Sequence, residues 1–366
     1  MKVVHLIATL DVGGAEKQLL TLCREQVRHG YEVMVVPMKG SNNLEDEFRL
    51  VGVKVDNQLR GKRIWKQWTH LLKLVRNHRS FIYHSHSPRA QLLLGLMPPK
   101  SMKGVVLSKH DAMPFVPILP GWFSRLLWKF AQSRANRVIL ISNAIRLEMN
   151  LRRESISPRK TDVVYYGISQ EEIREIQQSN RSKARDAWKI SNPTFVIGTV
   201  GRLVKEKNHL FLIEVFHEFI KLYPNSFLVI CGYGPLEDEL RQKIGELNIV
   251  ENVAICSNVK NVKEVYKGFD LFVLPSITEG FGLVLLEAMC ADLPILGSRV
   301  GAIPEVLGRD CEFMFNPSNQ GELLELLVQA QNSKIRNEYI NRTSEKLSYF
   351  SSESMFKRIE SIYSSL

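Results

Sequence analysis

Residues 275–289 bring together side chains whose types and spacing could bind hydroxyl and phosphate groups. Glu279 precedes Gly280 and Gly282, and Glu287 follows Glu279 by eight residues. An apolar run directly before this stretch predicts a strand, and the apolar residues after Gly282 predict a helix. Glycines let the backbone approach a ligand closely, and the free amides of a helix start favour negative oxygen. The two carboxylates could accept hydrogen bonds from hydroxyl groups.

Two basic residues follow a second predicted strand, over 195–200. Arg202 and Lys207 are five residues apart, across a turn that leads into a predicted helix over 209–222. Both side chains can reach one pyrophosphate, and two cations there would neutralise its charge without a metal. A single basic pair at a helix start is often merely solvated. Its joint occurrence with the glutamate stretch favours a ligand site.

Strands and helices alternate along both halves of this 366-residue chain, which is longer than one core usually spans. Short apolar runs between amphipathic segments predict one α/β domain with a parallel sheet over 1–170 and another over 190–345. The polar residues 170–191 are the expected linker, and residues 346–366 predict a helix that could return to the first domain. Two Rossmann-like, doubly wound sheets would bind ligand in a cleft at the carboxyl ends of their strands.

These motifs resemble the signature of the retaining family 4 glycosyltransferases, in which seven residues separate two glutamates. The resemblance extends to Gly13 and Gly14, between the first strand and the first helix, and to His110, which follows a strand like the family's His-Asp element. It implies the GT-B fold, with two Rossmann-like domains facing a central cleft. The implied catalytic residues are Glu279, His110, Arg202 and Lys207. The implied donor-binding residues are Gly13, Gly14, Arg202, Lys207, Val259, Glu279, Gly280, Phe281, Gly282, Leu283 and Glu287.

The resemblance also implies how these residues act. Arg202 and Lys207 would neutralise the departing diphosphate, Glu279 and His110 would orient the sugar, and Glu287 would hold the ribose. The sequence departs from the family pattern in the loops expected to lie near the nucleotide base, where a serine replaces a usual glycine and a tyrosine replaces a common acidic residue. These departures are Ser257 and Tyr233.

No metal and no cofactor are expected beyond a nucleotide-sugar co-substrate, with uridine diphosphate favoured. The chain has no Asp-x-Asp element after a strand to hold Mg²⁺, and the histidines are not expected to cluster at metal-ligand spacing. His84 and His86 alternate at a predicted strand end, which indicates a turn or an acceptor contact.

The charge is distributed unevenly along the chain. Residues 1–168 hold 27 Lys and Arg against 12 Asp and Glu, and two segments of this half, 60–76 and 120–130, mix cations with tryptophans and leucines. Such segments suit an anionic membrane surface, but they would equally fit a core face with solvated cations. Without a recognisable nucleic-acid module, nucleic acid is not an expected partner. The expected location is cytoplasmic, at the inner face of the cytoplasmic membrane.

The sequence therefore predicts a retaining, metal-independent glycosyltransferase (a hexosyltransferase). It would move a sugar from a UDP-sugar to a glycan or lipid-linked acceptor in bacterial cell-surface polysaccharide biosynthesis, such as that of lipopolysaccharide. Two alternatives stay open. One is a transferase with a soluble acceptor, and the other is an epimerase or binding protein for sugar nucleotides that performs no transfer.

Overall fold

The computed structural model describes residues 1–98, 101–154, 157–190, 194–257, 259, 261–309 and 311–366. The chain forms two compact units. The first unit is Met1–Gly167 with Ser351–Leu366, and the second is Ile168–Phe350. In the part of the chain that is described, no helix combines the length and the apolar character needed to span a lipid bilayer.

The first unit is built on a seven-stranded parallel sheet. Its strands are β1 (Lys2–Ile7), β2 (Glu32–Pro37), β3 (Lys54–Val55), β4 (Ile82–Ser85), β5 (Gly104–Lys109), β6 (Arg137–Leu140) and β7 (Thr161–Val163). They pair in the order β3-β2-β1-β4-β5-β6-β7. The helices that connect them are α1 (Gly14–Arg28), α2 (Glu45–Leu50), α3 (Ile64–Asn77), α4 (Pro88–Gly95), α5 (Gly121–Ser133) and α6 (Asn143–Leu151). The central strands are buried along almost their whole length, as expected for a parallel sheet covered on both faces.

The second unit repeats this architecture with six parallel strands. They are β8 (Phe195–Val200), β9 (Ser226–Cys231), β10 (Val253–Cys256), β11 (Leu271–Leu274), β12 (Ile295–Ser298) and β13 (Met314–Phe315), in the order β10-β9-β8-β11-β12-β13. The helices are α7 (Gln170–Gln177), α8 (Arg181–Ala187), α9 (His209–Leu222), α10 (Glu237–Glu246), α11 (Leu283–Cys290), α12 (Ile303–Leu307), α13 (Gln320–Gln329) and α14 (Ser333–Leu347). The strand order is that of a doubly wound sheet, in which β9 and β10 are added on one side of β8 and β11 to β13 on its other side.

The last helix, α15 (Ser352–Ser364), belongs to the first unit. Its apolar face joins the core formed by β1 and α1, with Phe356 and Tyr363 almost completely buried. Two hydrogen bonds tie it to the same region, from Ser352 Oγ to Glu25 at 2.6 Å and from Tyr31 Oη to Glu360 at 3.0 Å.

The pair of doubly wound parallel sheets confirms the expected fold class. The segment expected as a linker differs from the expectation, because residues 170–190 contain α7 and α8 and form part of the second unit. Ser169 and Glu172 form a capping box at α7, and the buried Arg185 of α8 pairs with Asp270 at 2.5 Å. The edge strands β3, β7 and β13 are two or three residues long, too short to show a pattern in the sequence.

Candidate active site

The carboxyl ends of β8 and β11 position the main predicted residues of the second unit. These neighbouring strands lie at the switch point of the sheet, where doubly wound folds bind ligands. Residues 201–208 follow β8 and residues 275–282 follow β11, and the two loops are joined where the Ile277 N–H donates to the Glu206 carbonyl at 2.9 Å. The strand order therefore brings together two motifs that are far apart in the sequence.

Lys207 and Glu279 form an ion pair at this edge. Their side-chain atoms Nζ and Oε2 are 2.5 Å apart, with 18% of the lysine and 12% of the glutamate side chain exposed. Ser276 Oγ donates a second hydrogen bond to the same carboxylate oxygen at 3.3 Å, and Ser298 Oγ fixes the Ser276 carbonyl at 2.6 Å. A cation suited to phosphate and a carboxylate suited to hydroxyl groups are thus held side by side.

Two glycines with positive φ shape the backbone around Glu279. Gly282 caps α11 at φ 88°, a conformation that costs other residues free energy, and it leads directly into the free amides of the helix. Gly301, at φ 53°, lies so close to the Glu279 carbonyl that a Cβ atom there would clash with it. The Ala302 N–H donates to that carbonyl at 3.1 Å. The loop after β12 therefore supports the loop after β11.

Glu287 lies on α11 and accepts a hydrogen bond from the Tyr266 hydroxyl at 2.5 Å. Burial of the tyrosine and the neighbouring glutamate raise the pKa of Tyr266 well above its ordinary value. The hydroxyl therefore stays protonated and donates to Glu287. Tyr266 was not predicted as a site residue.

The remaining predicted residues of the second unit occupy different environments. Arg202 is exposed in the loop that carries Lys207. The Phe281 side chain is buried and packs edge-on against Phe350, so its role in the loop is one of support. Gly280 and Leu283 are partly buried beside it. Val259 follows β10, which lies two strands from β8 in the sheet.

The first unit has its own switch point between β1 and β4. Gly13 is the N-cap of α1 and Gly14 its first residue, so the predicted glycine loop does begin the first helix. The Glu16 carboxylate folds back beside Gly13 and accepts a hydrogen bond from Thr9 Oγ1 at 3.0 Å.

His110 follows β5 and is the end member of a row of imidazoles, so the expectation that the histidines do not cluster was wrong. His5 on β1 lies directly opposite His84 on β4 in the sheet register. His5 Nδ1 is 2.9 Å from His86 Nε2, and His86 Nδ1 is 2.9 Å from His110 Nε2. The row ends at the Tyr166 hydroxyl, 2.5 Å from His110 Nδ1. Both ring nitrogens of His110 are therefore hydrogen-bonded within the first unit.

All four imidazoles of this region are held neutral. Burial lowers the pKa of His5 and of His110 to about 4, and it lowers the pKa values of His84 and His86 well below the ordinary range. Among the described residues, nitrogens of His5, His84 and His86 come within 4.8 Å of one another, close enough to share a metal ion. Each of these rings already uses both nitrogens in hydrogen bonds, which a metal would have to displace.

Comparisons with known proteins agree with this architecture. The family described as "Glycosyl transferases group 1" matches residues 180–347, and "Glycosyltransferase Family 4" matches residues 12–172. The chain is 23% identical over 337 residues to the phosphatidylinositol N-acetylglucosaminyltransferase GPI3 subunit of Saccharomyces cerevisiae, covering 89% of this chain and 72% of that protein. It is 25% identical over 280 residues to UDP-Gal:alpha-D-GlcNAc-diphosphoundecaprenol alpha-1,3-galactosyltransferase of Escherichia coli, covering 73% and 70% respectively. The fold is similar to that of Anabaena HepE in complex with UDP-glucose, with a TM-score of 0.86 and 19% identity over the full length of both chains.

Two doubly wound units with family matches in both halves define a glycosyltransferase of the GT-B fold. The two matching families, one in each half of the chain, are both families of glycosyltransferases. The predicted enzyme class is confirmed.

Proposed function

We propose that the protein transfers a sugar from a nucleotide diphosphate to an acceptor hydroxyl with retention of configuration and without a metal ion. The observation that carries this proposal is the ion pair of Lys207 and Glu279 at the switch point of the second sheet. Lys207 offers charge to a diphosphate, and Glu279 offers an acceptor to sugar hydroxyls. Two protein cations at a leaving diphosphate can stabilise its charge electrostatically.

The proposed step requires no protein nucleophile. The acceptor oxygen bonds to the anomeric carbon on the face from which the nucleotide leaves, the bond between that carbon and the diphosphate oxygen breaks, and the acceptor's proton passes to the diphosphate. Arg202 and Lys207 neutralise the charge that develops on the diphosphate. Glu279 and the amides at the start of α11 orient the sugar. An α-linked donor would thus give an α-linked product.

Two further roles follow from the family resemblance and from local contacts. Glu287, whose carboxylate is held by the Tyr266 hydroxyl, would accept hydrogen bonds from the ribose. The resemblance assigns His110 to orienting the sugar and the Gly13-Gly14 loop to binding the donor. Because both ring nitrogens of His110 have protein partners, we expect its ring to contribute as a neutral, fixed group.

A uridine diphosphate sugar is the proposed donor. HepE, which shares the fold, binds UDP-glucose, and the E. coli relative acts on UDP-galactose. A test is to screen UDP- and GDP-sugars by thermal shift and then to follow nucleotide release. Anomeric proton couplings of the isolated product distinguish retention from inversion, and a β-linked product from an α-linked donor would refute the proposed stereochemistry.

The proposed acceptor is a glycan or lipid-linked glycan of a bacterial cell surface, reached at the anionic inner face of the cytoplasmic membrane. The E. coli relative acts on a diphosphoundecaprenol-linked sugar. In this chain the start of α3 exposes Trp65 among the basic residues 60–66, with 57% of the tryptophan accessible. One face of α5 exposes Trp122, Leu126 and Phe130, four residues apart. Cations beside exposed aromatic residues suit a lipid interface.

Flotation with phosphatidylglycerol-containing liposomes tests the membrane proposal. The wild type should float, and the double variant Trp65→Ser/Trp122→Ser should float less. Tyr349→Ser is the matched control, because it removes an aromatic side chain that is 74% exposed in the second unit. A wild type that stays entirely in the soluble fraction would refute the membrane proposal but not the transferase.

A further inference from the structure

The row of imidazoles in the first unit has a defined direction. Gln26 of α1 accepts through Oε1 from His5 Nε2 at 2.9 Å, and the Gln26 amide also lies beside the Tyr363 hydroxyl of α15. With the Gln26 amide assigned so that Oε1 faces His5, the proton of His5 is on Nε2 and its Nδ1 is bare, because a carbonyl oxygen can only accept. His5 Nδ1 must then accept from His86 Nε2–H, and His86 Nδ1 from His110 Nε2–H. His110 Nδ1 is left to accept the hydroxyl proton of Tyr166.

We propose that Gln26, His5 and His86 are positioning residues that hold His110 as a neutral imidazole, with its proton on Nε2, during sugar transfer. The proposal rests on the proposed function. None of the three needs to touch substrate, because they act through the hydrogen bonds that fix the ring and tautomer of His110. Gln26 is the residue that sets the direction of the whole row.

A neutral His110 matters because glycosyl transfer passes through a transition state with positive charge on the sugar ring. An imidazolium beside that ring would oppose the developing charge, whereas a neutral imidazole would not. Burial removes water from around His110 and so disfavours its charged form. The hydrogen bonds to His86 and Tyr166 occupy both of its ring nitrogens, so the row holds the ring in its neutral form.

Charged and titratable groups face the row from several elements. Asp111 and Lys109 flank His110 and act on it in opposite directions. Glu16 and Asp111 lie near Tyr166, and Cys23 and Tyr31 lie near Tyr363. The Tyr363 hydroxyl is 2.5 Å from His84 Nδ1, and Ser108 Oγ is 2.7 Å from His84 Nε2. Gln26 stands at the opposite end of the row from Tyr166. Replacing its side-chain amide by a carboxylate, as in Gln26→Glu, adds a negative charge at that end.

The first experiment needs no variant. NMR of protein labelled with ¹⁵N-histidine should show three neutral rings protonated on Nε2, identified by single His→Gln substitutions among the nine histidines. Scalar coupling across the N–H···N bonds should connect His5 to His86 and His86 to His110. None of the three should titrate near pH 6.5, the ordinary value. Absence of both couplings, titration near pH 6.5, or a stoichiometric metal in the purified protein would overturn the row.

The second experiment reverses the row with Gln26→Glu. A carboxylate at this position should draw one proton from solvent onto His5, so that each ring then donates towards Tyr166 and His110 carries its proton on Nδ1. We expect the pKa at which the row takes up a proton to rise by about one to three units. If UDP-glucose is a donor, the rate of UDP release plotted against pH should fall on its acid side, and this acid limb should move to higher pH by the same amount. Gln26→Leu removes the acceptor without adding charge and should leave the acid limb in place.

Gln18→Glu is the matched control. Gln18 is also a buried glutamine of α1, but its amide bonds to the backbone of Gly167 and not to an imidazole. It should leave both the histidine titration and the acid limb unchanged. Intact couplings together with an acid limb that Gln26→Glu does not move would overturn the positioning role. Intact couplings with no turnover of any nucleotide sugar would instead refute the proposed function.

Discussion

Replacing Glu279 by glutamine should separate nucleotide binding from sugar transfer. In the structure the Glu279 carboxylate is 2.5 Å from Lys207 Nζ, and both side chains are largely buried. A bound diphosphate would compete with Glu279 for this lysine. Glu279→Gln keeps the shape and a hydrogen-bonding oxygen but removes the competing charge. Binding of UDP should therefore tighten while transfer becomes slower.

The two effects have different sizes. An ion pair near the surface contributes up to about 1 kcal/mol, so its loss should tighten UDP binding by up to about 5-fold. A hydrogen bond from a sugar hydroxyl to a charged group contributes about 1.5–3 kcal/mol. The glutamine keeps a neutral acceptor oxygen, whose hydrogen bond contributes about 0.5–1.5 kcal/mol. If the bond forms fully only in the transition state, the difference of about 1–1.5 kcal/mol should slow transfer by about 5- to 13-fold. The variant should thus bind its product better and make it more slowly.

Calorimetric titration with UDP and a nucleotide-release assay measure the two quantities. Glu206→Gln is the control, since it removes one negative charge from an exposed position next to Lys207 without breaking the pair with Glu279. It should change both quantities by less than Glu279→Gln does. The reasoning is refuted if Glu279→Gln weakens UDP binding as Lys207→Ala does, because Glu279 would then support the nucleotide site and not compete within it.

Three further predictions concern neighbouring residues. Arg202→Ala and Lys207→Ala should each slow transfer at least about 10-fold, whereas the control Lys205→Ala, at an exposed position, should not. EDTA should not slow transfer either, and inhibition by EDTA that Mg²⁺ reverses would contradict the metal-independent step. Tyr266→Phe should raise KM for the donor about 2- to 10-fold through loss of the bond to Glu287, with kcat little changed; an unchanged KM would separate Glu287 from donor binding. Gly282→Ala should lower the free energy of unfolding by about 1–2 kcal/mol, because φ is 88° at this position. Gly245→Ala is the control, since this glycine lies in open space within α10, and it should raise the free energy of unfolding by about 0.5–1 kcal/mol. Chemical denaturation measures both, and equal effects would contradict the backbone argument.

Much of the second unit could be predicted because its motifs are local. The glutamates, the glycines and the basic pair each follow an apolar run that forms the predicted strand, and β8 has the predicted bounds, 195–200. The contact between Lys207 and Glu279 could not be read directly, since it depends on β8 and β11 being neighbours. That neighbourhood is a property of the doubly wound strand order, which sequence patterns do not specify.

The histidine row was missed for the same reason. His5 and His84 are far apart in the sequence and meet only because β1 pairs with β4 in a register that sets them opposite each other. His84 and His86 at one strand end were the visible signal. Had the strand order been assumed, the register would have brought His5 beside them.

The prediction of a linker was wrong because it relied on composition alone. Residues 170–190 are polar, and polar segments between domains are often linkers. In the structure these residues form two short helices that are held by specific polar contacts. Arg185 is the clearest case, since its buried guanidinium reaches Asp270 and the carbonyls of Gly268 and Thr194. Such contacts leave no hydrophobic periodicity to detect.

Donor binding and turnover by the purified protein, measured together, test the central claim most directly. The wild type should bind UDP and release it from a UDP-sugar when acceptor is added. Lys207→Ala should lose most of both activities while unfolding within about 4 °C of the wild type. A wild type that binds no nucleotide diphosphate, or a folded Lys207→Ala variant that turns over as fast as the wild type, would contradict the assignment of this site.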